Sequence, residues 1–139
     1  MRTYKGVITS LPDNGIFVFG SNTQGRHGKG AALIAKTKFG AKYGQASGLQ
    51  GRSYAIITKD ITKKVHPSIT KEDIKWQILK LYHAAEDNPT LDYYITYSGE
   101  GINLNSYTPQ DMADMFNSFK SVGGIPENII FEEKFSKLL

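Results

Sequence analysis

The sequence predicts an α/β domain, a three-layer α/β/α sandwich built on a mixed, mostly parallel sheet. Short apolar segments at 16–19, 53–58 and 91–97 alternate with longer segments of helical spacing, and this alternation is typical of a parallel sheet covered by helices. Two of the apolar segments run into glycine-rich loops, at the strand ends where such folds bind ligands. Because 139 residues suit one domain, we predict a single domain over 1–139.

The amino-terminal part of the chain predicts two strands and a helix. Residues 4–8 and 16–19 have the composition of short strands, and residues 11–15 between them have the composition of a turn. The alanine-rich segment 28–39 predicts a helix, which Gly40 is suited to end. The glycine loop that precedes this segment is therefore placed at a helix amino terminus.

The middle of the chain predicts a linker, a strand and a second helix. Residues 41–52 are polar and glycine-rich, and they form a linker long enough to reach over a site. The strand at 53–58 follows, and Thr70 then has the character of a helix N-cap, with carboxylates in the next turn. The expected buried face of this helix consists of Ile74, Ile78, Leu81, Tyr82 and Ala85.

The last third of the chain predicts a strand, a long helix and a closing strand. The strand covers 91–97 and is rich in aromatic and β-branched residues. Thr108 is the expected N-cap of the last long helix, with Pro109 at its first position. Residues 128–132 supply the closing strand. From the last long helix we expect Met112, Met115, Phe116 and Phe119 in the core, and from the helix that begins after Thr70 we expect Trp76 there as well.

Composition limits the kinds of ligand and compartment. The chain has no cysteine, which excludes disulfides and thiolate metal sites, and we find no signal segment or apolar run of membrane length. We therefore expect a cytoplasmic protein that does not associate with membranes. His66 and His83 lack the spacing of metal ligands, so we expect no metal and no cofactor. The net charge of +4 and the pI near 9.2 favour an anionic ligand.

Two glycine-rich loops are the candidate site. The first glycine loop, residues 25–30, precedes the predicted helix, where glycine backbone and free N–H groups suit an anion. The second glycine loop, residues 98–102, follows the strand at 91–97. The first loop predicts a nucleotide-like ligand. The expected ligand contacts beside it are Gly20, Ser21, Asn22, Arg26 and Lys29.

The motifs at 5–9, 16–22, 28–32 and 98–102 resemble, in this order, those of the macrodomain family. Members of that family have a Gly-Asp-Ile-Thr strand, an Asn-Ala-Ala-Asn strand end, a Gly-Gly-Gly-Val loop with a helix, and a Ser-Thr-Gly-x-Phe/Tyr-Gly loop. Each motif alone is a weak signal, but four in order over nearly the whole chain are a stronger one. The resemblance implies a small-molecule ligand, ADP-ribose or a related nucleotide diphosphate ribose, or an ADP-ribosylated macromolecule. It also implies that Asn22 bonds the distal ribose and that the two loops clamp the diphosphate. The further ligand contacts that it implies are the backbone around Gly28, Gly30 and Ala31 in and after the first loop, and Ser98, Gly99, Glu100, Gly101 and Ile102 in the second.

Two departures from the family pattern bear on specificity and turnover. Val7 stands where the family has the aspartate that accepts from the adenine amino group, and this puts adenine selectivity in question. Ala31 and Ala32 stand where hydrolytic members have an aspartate that positions water. The resemblance therefore favours binding over hydrolysis of an ADP-ribosyl bond.

Asn22, His27 and Glu100 are the remaining candidates for catalysis. Each also has an explanation without a ligand: Asn22 as a cap of the turn after its strand, His27 as a solvated loop residue, and Glu100 as a solvent-facing carboxylate. Three functions stay open, namely an ADP-ribosyl hydrolase, a non-catalytic reader or scavenger, and a nucleic-acid-binding module. The last ranks lowest because no basic stripe with interleaved aromatic residues stands out.

Overall fold

Six strands form one sheet in the computed structural model, which describes residues 1–101 and 103–139. They are β1 (Thr3–Tyr4), β2 (Gly15–Asn22), β3 (Gly48–Gln50), β4 (Ser53–Lys59), β5 (Asp92–Ile95) and β6 (Ile129–Glu132). Their order across the sheet is β1-β6-β5-β2-β4-β3, and every neighbouring pair is parallel except β3 and β4. The predicted α/β fold with a mostly parallel sheet is confirmed.

Helices cover both faces of this sheet. They are α1 (Gly30–Lys38), α2 (Lys71–Asp87), α3 (Pro109–Phe116) and α4 (Glu133–Ser136), with a 3₁₀ turn at Lys120–Val122. Helix α1 packs on one face, and α2, α3 and α4 pack on the other. Within residues 1–101 and 103–139, no helix is both long enough and apolar enough to pass through a membrane.

Strand β2 is the centre of the core. Its side chains alternate between the two faces, so Phe17 and Phe19 pack against α1 while Ile16 and Val18 pack against the other helices. All four are buried. Burial on both faces explains why this strand appears in the sequence as a continuous apolar run rather than an alternating one.

The predicted helix starts and the predicted face of α2 are confirmed. Thr70 Oγ1 accepts from the backbone N–H of Asp73, 3.2 Å away, and Thr108 forms a capping box with Asp111 in front of Pro109. The five residues expected on the inner face of α2 are all buried. Met112, Met115 and Phe116 are buried as well, and Phe119 is partly buried.

Two predictions about the helices were wrong. Trp76 is 59% exposed, with the Lys80 Nζ 5.7 Å from its ring centroid. It lies two residues after the buried Ile74, and two residues rotate a helix by about 200°, to its outer side. The last helix is also short, because α3 ends at Phe116 and a 3₁₀ turn follows.

Several boundaries differ from the predicted ones. Strand β1 ends at Tyr4 rather than at residue 8, because Gly6 has a φ of +74° and the chain turns away from the sheet. The linker at 41–52 contains β3, an edge strand antiparallel to β4. Helix α4, which follows β6 directly, was not predicted at all.

The parallel arrangement decides which loops meet. Because β1, β5 and β6 run in the same direction, the segments that follow them all leave the sheet at its carboxyl edge. Strand β6 lies between β1 and β5, so residues 5–8, residues 96–101 and α4 come together there. The first turn of α1 borders the same place.

Candidate functional site

A cavity of about 590 Å³ opens at the carboxyl edge of β1, β5 and β6. Its volume lies within the roughly 300–1,000 Å³ that is usual for small-molecule sites. One part of its wall is apolar and the remainder carries charges of both signs. The apolar part consists of Val7, Ile8, Phe17, Ala31, Ile34 and Tyr97.

The first turn of α1 supplies backbone donors at this cavity. Gly30 and Ala31 line the cavity, and Gly30 has a φ of +57°. Lys29 is the N-cap residue but makes no side-chain cap bond, and the first turn has no acidic residue. The free amide groups of this helix end therefore carry a partial positive charge beside the cavity.

The second glycine loop forms the opposite side of the cavity. Ser98 and Glu100 line it, and the Ser98 Oγ accepts from the Glu100 N–H at 3.1 Å. Gly99 packs on α4 so closely that a Cβ there would lie 2.7 Å from the carbonyl carbon of Lys134. Only glycine allows this approach. Gly101 is exposed and away from the cavity wall, and Ile102 lies outside the described residues.

Glu100 is paired with a cation. The Lys134 Nζ donates to Glu100 Oε1 at 2.8 Å, with both side chains largely exposed. This hydrogen bond and the opposite charge lower the pKa of Glu100 and raise the pKa of Lys134. A carboxylate whose pKa is lowered is a weaker general base, and its charge repels an anionic ligand less once it is neutralised.

The other charged residues at the cavity come mainly from α4 and its flanks. Glu132 accepts from the backbone N–H groups of Lys134 and Phe135 at 2.8 and 3.2 Å, so it caps α4. Lys5 Nζ lies 3.6 Å from Glu133 Oε2. Lys137 also lines the cavity and forms no ion pair with any described residue.

Asn22 bonds to its own loop. Its Oδ1 accepts from the N–H groups of Gln24 and Arg26 at 3.1 and 3.0 Å, and its Nδ2 donates to the Arg26 carbonyl at 2.8 Å. The side chain therefore closes the turn after β2, as its ligand-free explanation expects. Asn22 is not part of the cavity wall. Its contact with a ribose stays a prediction.

His27 is buried with no exposed surface, so its description as a solvated loop residue is wrong. Its Nε2 lies 3.1 Å from the Gln45 carbonyl and 3.2 Å from Gln50 Oε1. Both are acceptors, because the Gln50 Oε1 also accepts from the Lys42 N–H, and Nε2 must therefore carry a proton. Its ring also packs edge-on against Phe19. His27 fastens the first glycine loop to residues 41–52.

That segment does not reach over the cavity. It packs against the first glycine loop, where the Gly44 N–H donates to the Gly25 carbonyl at 2.8 Å. A Cβ at Gly25 would lie 2.5 Å from the carbonyl carbon of Gly44. The linker is therefore a support for the first loop.

The structure thus brings four of the predicted ligand contacts to one cavity, namely Gly30, Ala31, Ser98 and Glu100. The others beside the first loop lie off its wall: Ser21 is buried, Gly20 and Asn22 are partly buried, and Arg26, Gly28 and Lys29 are exposed. The sequence interpretation missed Lys5 and the charged residues of α4. The closing strand at 128–132 was the available signal, because the segment after any parallel strand ends at this edge.

Comparison with models of known protein families gives no match, and comparison with curated proteins gives no significant relative. The cavity must therefore be interpreted from its own chemistry.

Proposed function

We propose that the cavity binds ADP-ribose or a related nucleotide diphosphate sugar, and that the domain is macrodomain-like. One observation carries the proposal: the uncapped first turn of α1 and an apolar wall border the same cavity. A nucleotide diphosphate sugar has complementary parts, an anionic diphosphate and flat rings. The four ordered sequence motifs support the same ligand class.

The two sides of the cavity suit different parts of this ligand. The backbone N–H groups at Gly30 and Ala31 suit the diphosphate. The apolar wall around Ile8, Phe17 and Ile34 suits a ring, because a ligand buries most of its surface in such sites. Val7, which is 80% exposed at the cavity, offers the ring no acceptor. The choice of base therefore rests on shape more than on a hydrogen bond.

Binding without turnover is the favoured form of this proposal. Asn22 and His27, two of the three candidate catalytic residues, are held in hydrogen bonds away from the cavity wall. Glu100 lines the cavity, so hydrolysis of an ADP-ribosyl bond is the second candidate function. A hydrolase of this kind would depend on Glu100 as its base, although Lys134 lowers the pKa of that carboxyl.

Calorimetric titration tests the proposal. We expect ADP-ribose to bind more tightly than AMP or NAD. Ala31→Phe places a bulky ring into the cavity and should weaken binding about tenfold or more, which is about 1.4 kcal/mol. Leu33→Phe is the matched control, because Leu33 lies on α1, is exposed and is absent from the cavity wall.

Two results would contradict the proposal: no binding of any of these nucleotides, or equal affinities of the Ala31→Phe and Leu33→Phe variants. Thermal unfolding of both variants verifies that they are folded. Incubation of the wild type and Glu100→Gln with an ADP-ribosylated protein separates the two candidate functions. Release of ADP-ribose by the wild type, lost in Glu100→Gln, would favour the hydrolase.

A further inference from the structure

Charge is unevenly distributed along this chain. Residues 14–59 contain seven lysines and arginines and no aspartate or glutamate, whereas all 13 carboxylates and ten cations lie elsewhere. The seven are Arg26, Lys29, Lys36, Lys38, Lys42, Arg52 and Lys59. A net charge of +4 conceals this separation, because the remainder of the chain is net negative.

The fold gathers the positive segment into one half of the molecule. Residues 14–59 form β2, β3 and β4, which are neighbours at one side of the sheet, together with α1 on its face. The acidic helices α2 and α3 cover the opposite face. The positive potential is therefore concentrated on the outer side of α1 and its flanking loops.

These cations are uncompensated. Arg26, Lys29, Lys36, Lys38 and Lys42 are exposed, and we call this group the basic surface. None of the five forms an ion pair with a described residue. Cations of the other half do form such pairs, for example Lys71 with Asp111 at 3.3 Å.

An aromatic residue lies among the basic residues, although the sequence ranked nucleic-acid binding lowest because no basic stripe with interleaved aromatic residues stood out in it. Tyr43 is 60% exposed, and the Lys36 Nζ lies 5.2 Å from its ring centroid. Lys29 and Lys36 are seven residues apart along α1, which corresponds to about 10 Å of helix. Cations along a track beside an exposed aromatic ring are the features with which proteins bind single-stranded nucleic acids.

We propose that the basic surface binds single-stranded nucleic acid, with Lys36 and Lys42 at backbone phosphates and Tyr43 stacked on a base. Charge complementarity and the exposed ring carry this inference. An acidic protein would use the charges but would gain less from the ring. The surface is separate from the nucleotide cavity, since α1 lines the cavity with Gly30, Ala31 and Ile34 instead.

Fluorescence anisotropy with a labelled 20-nucleotide oligo-dT, measured over a range of salt concentrations, tests this inference. The double variant Lys36→Gln, Lys42→Gln should weaken binding about tenfold at low salt. The slope of log affinity against log salt concentration should also become shallower by about 1.4, because each lost phosphate contact reduces this slope by about 0.7. Tyr43→Ala should weaken it about fivefold or more. The matched controls are Lys75→Gln with Lys80→Gln, and Trp76→Ala, because α2 also holds a lysine beside an exposed aromatic ring.

We expect the controls to stay within about twofold of the wild type, since α2 lies in the acidic half. Absence of wild-type binding would overturn the inference, as would equal losses in the test and control variants. Polyglutamate serves as the competing probe. If it binds as tightly as the oligonucleotide and Tyr43→Ala changes neither affinity, the surface is one for acidic proteins and the inference fails.

Discussion

The two glycine loops use their polar side chains in opposite ways. At the first, Asn22, which ends β2 just before the loop, and His27 within it bond to neighbouring main-chain and glutamine groups, and neither lines the cavity. In the second, Ser98 and Glu100 line the cavity directly. A glycine-rich motif therefore does not by itself say whether its polar residues bind the ligand or hold the loop in place.

The two loops use their polar side chains differently because they are held in place differently. The first loop leaves the sheet and must turn into α1, so several of its amide groups need partners within the protein. Asn22 supplies a partner for the N–H groups of Gln24 and Arg26, and Gln50 accepts from the His27 ring. The second loop packs against α4, and the close approach of Gly99 to that helix holds this loop in place.

The largest expected effect is a loss of stability on substitution in the first loop. Gly25→Ala places a Cβ 2.5 Å from the Gly44 carbonyl carbon at a φ of +65°, and we expect it to lower the free energy of unfolding by about 3 kcal/mol or more. Gly28→Ala is the control in the same loop, because its Cβ meets open space and should cost about 0.5 kcal/mol or less. Urea denaturation measures both. Equal losses would mean that residues 41–52 do not support this loop.

A smaller effect separates the two roles of Asn22. Asn22→Ala removes three hydrogen bonds, and we expect about 1–2 kcal/mol of destabilisation because the freed groups are partly solvated. Asn22→Asp keeps both acceptor bonds and should cost less. Urea denaturation and ADP-ribose calorimetry of both variants give the comparison. If Asn22→Asp lowers affinity at high as well as at low salt while stability is retained, Asn22 contacts the ligand as the family resemblance implies, because repulsion of the diphosphate from a distance would be screened.

The smallest effect concerns the second loop. Glu100→Gln releases Lys134 and removes a negative charge from the cavity, so ADP-ribose affinity should rise about two- to threefold at low salt and the gain should shrink as salt increases. Glu86→Gln, exposed on α2, is the control. A loss of affinity in Glu100→Gln would show that the carboxylate itself binds the ligand.

The same pair predicts a pH dependence. The pKa of Glu100 is lowered in the folded protein, so the carboxylate stays ionised even somewhat below its usual pKa, and the pair is lost only as pH falls through the lowered value. The ratio of Glu100→Gln to wild-type affinity should therefore be constant between about pH 6 and 8. Calorimetry at about pH 6 and at about pH 8 tests this. A change in the affinity ratio between these two pH values would show that a group other than Glu100 titrates.

The sequence was sufficient for elements with strong local signals. The inner face of α2 and the caps at Thr70 and Thr108 depend on spacing and on side chains within one turn, so local reasoning finds them. Helix α4 has four residues, too few for a periodic pattern. Trp76 is exposed despite its apolar residue type, because its position on α2 is off the buried face.

The site was partly predictable for a similar reason. Motifs placed at strand ends predict that the backbone at Gly30 and Ala31 and the second glycine loop lie at the site. The direction of the His27 side chain depends on Gln45 and Gln50, which a separate segment brings near only after folding. The Asn22 side chain bonds to Gln24 and Arg26, so its role in the turn is a local one. The contribution of Lys134 depends on β6 lying between β1 and β5, an order that no local pattern contains.

The position of β6 has a consequence for cooperativity. The cavity wall includes residues 4–8, which end and follow β1, and the residues Glu132, Glu133, Lys134 and Lys137, which end and follow β6. The hydroxyl of Tyr4 donates to the Ile95 carbonyl at 2.6 Å. Local opening of β1 or of α4 would therefore remove part of this wall. Binding of a ligand in the cavity is thus linked to the native pairing of β1 with β6. A ligand present at about 100 times its Kd would raise the free energy of opening this edge of the sheet by about 2.7 kcal/mol.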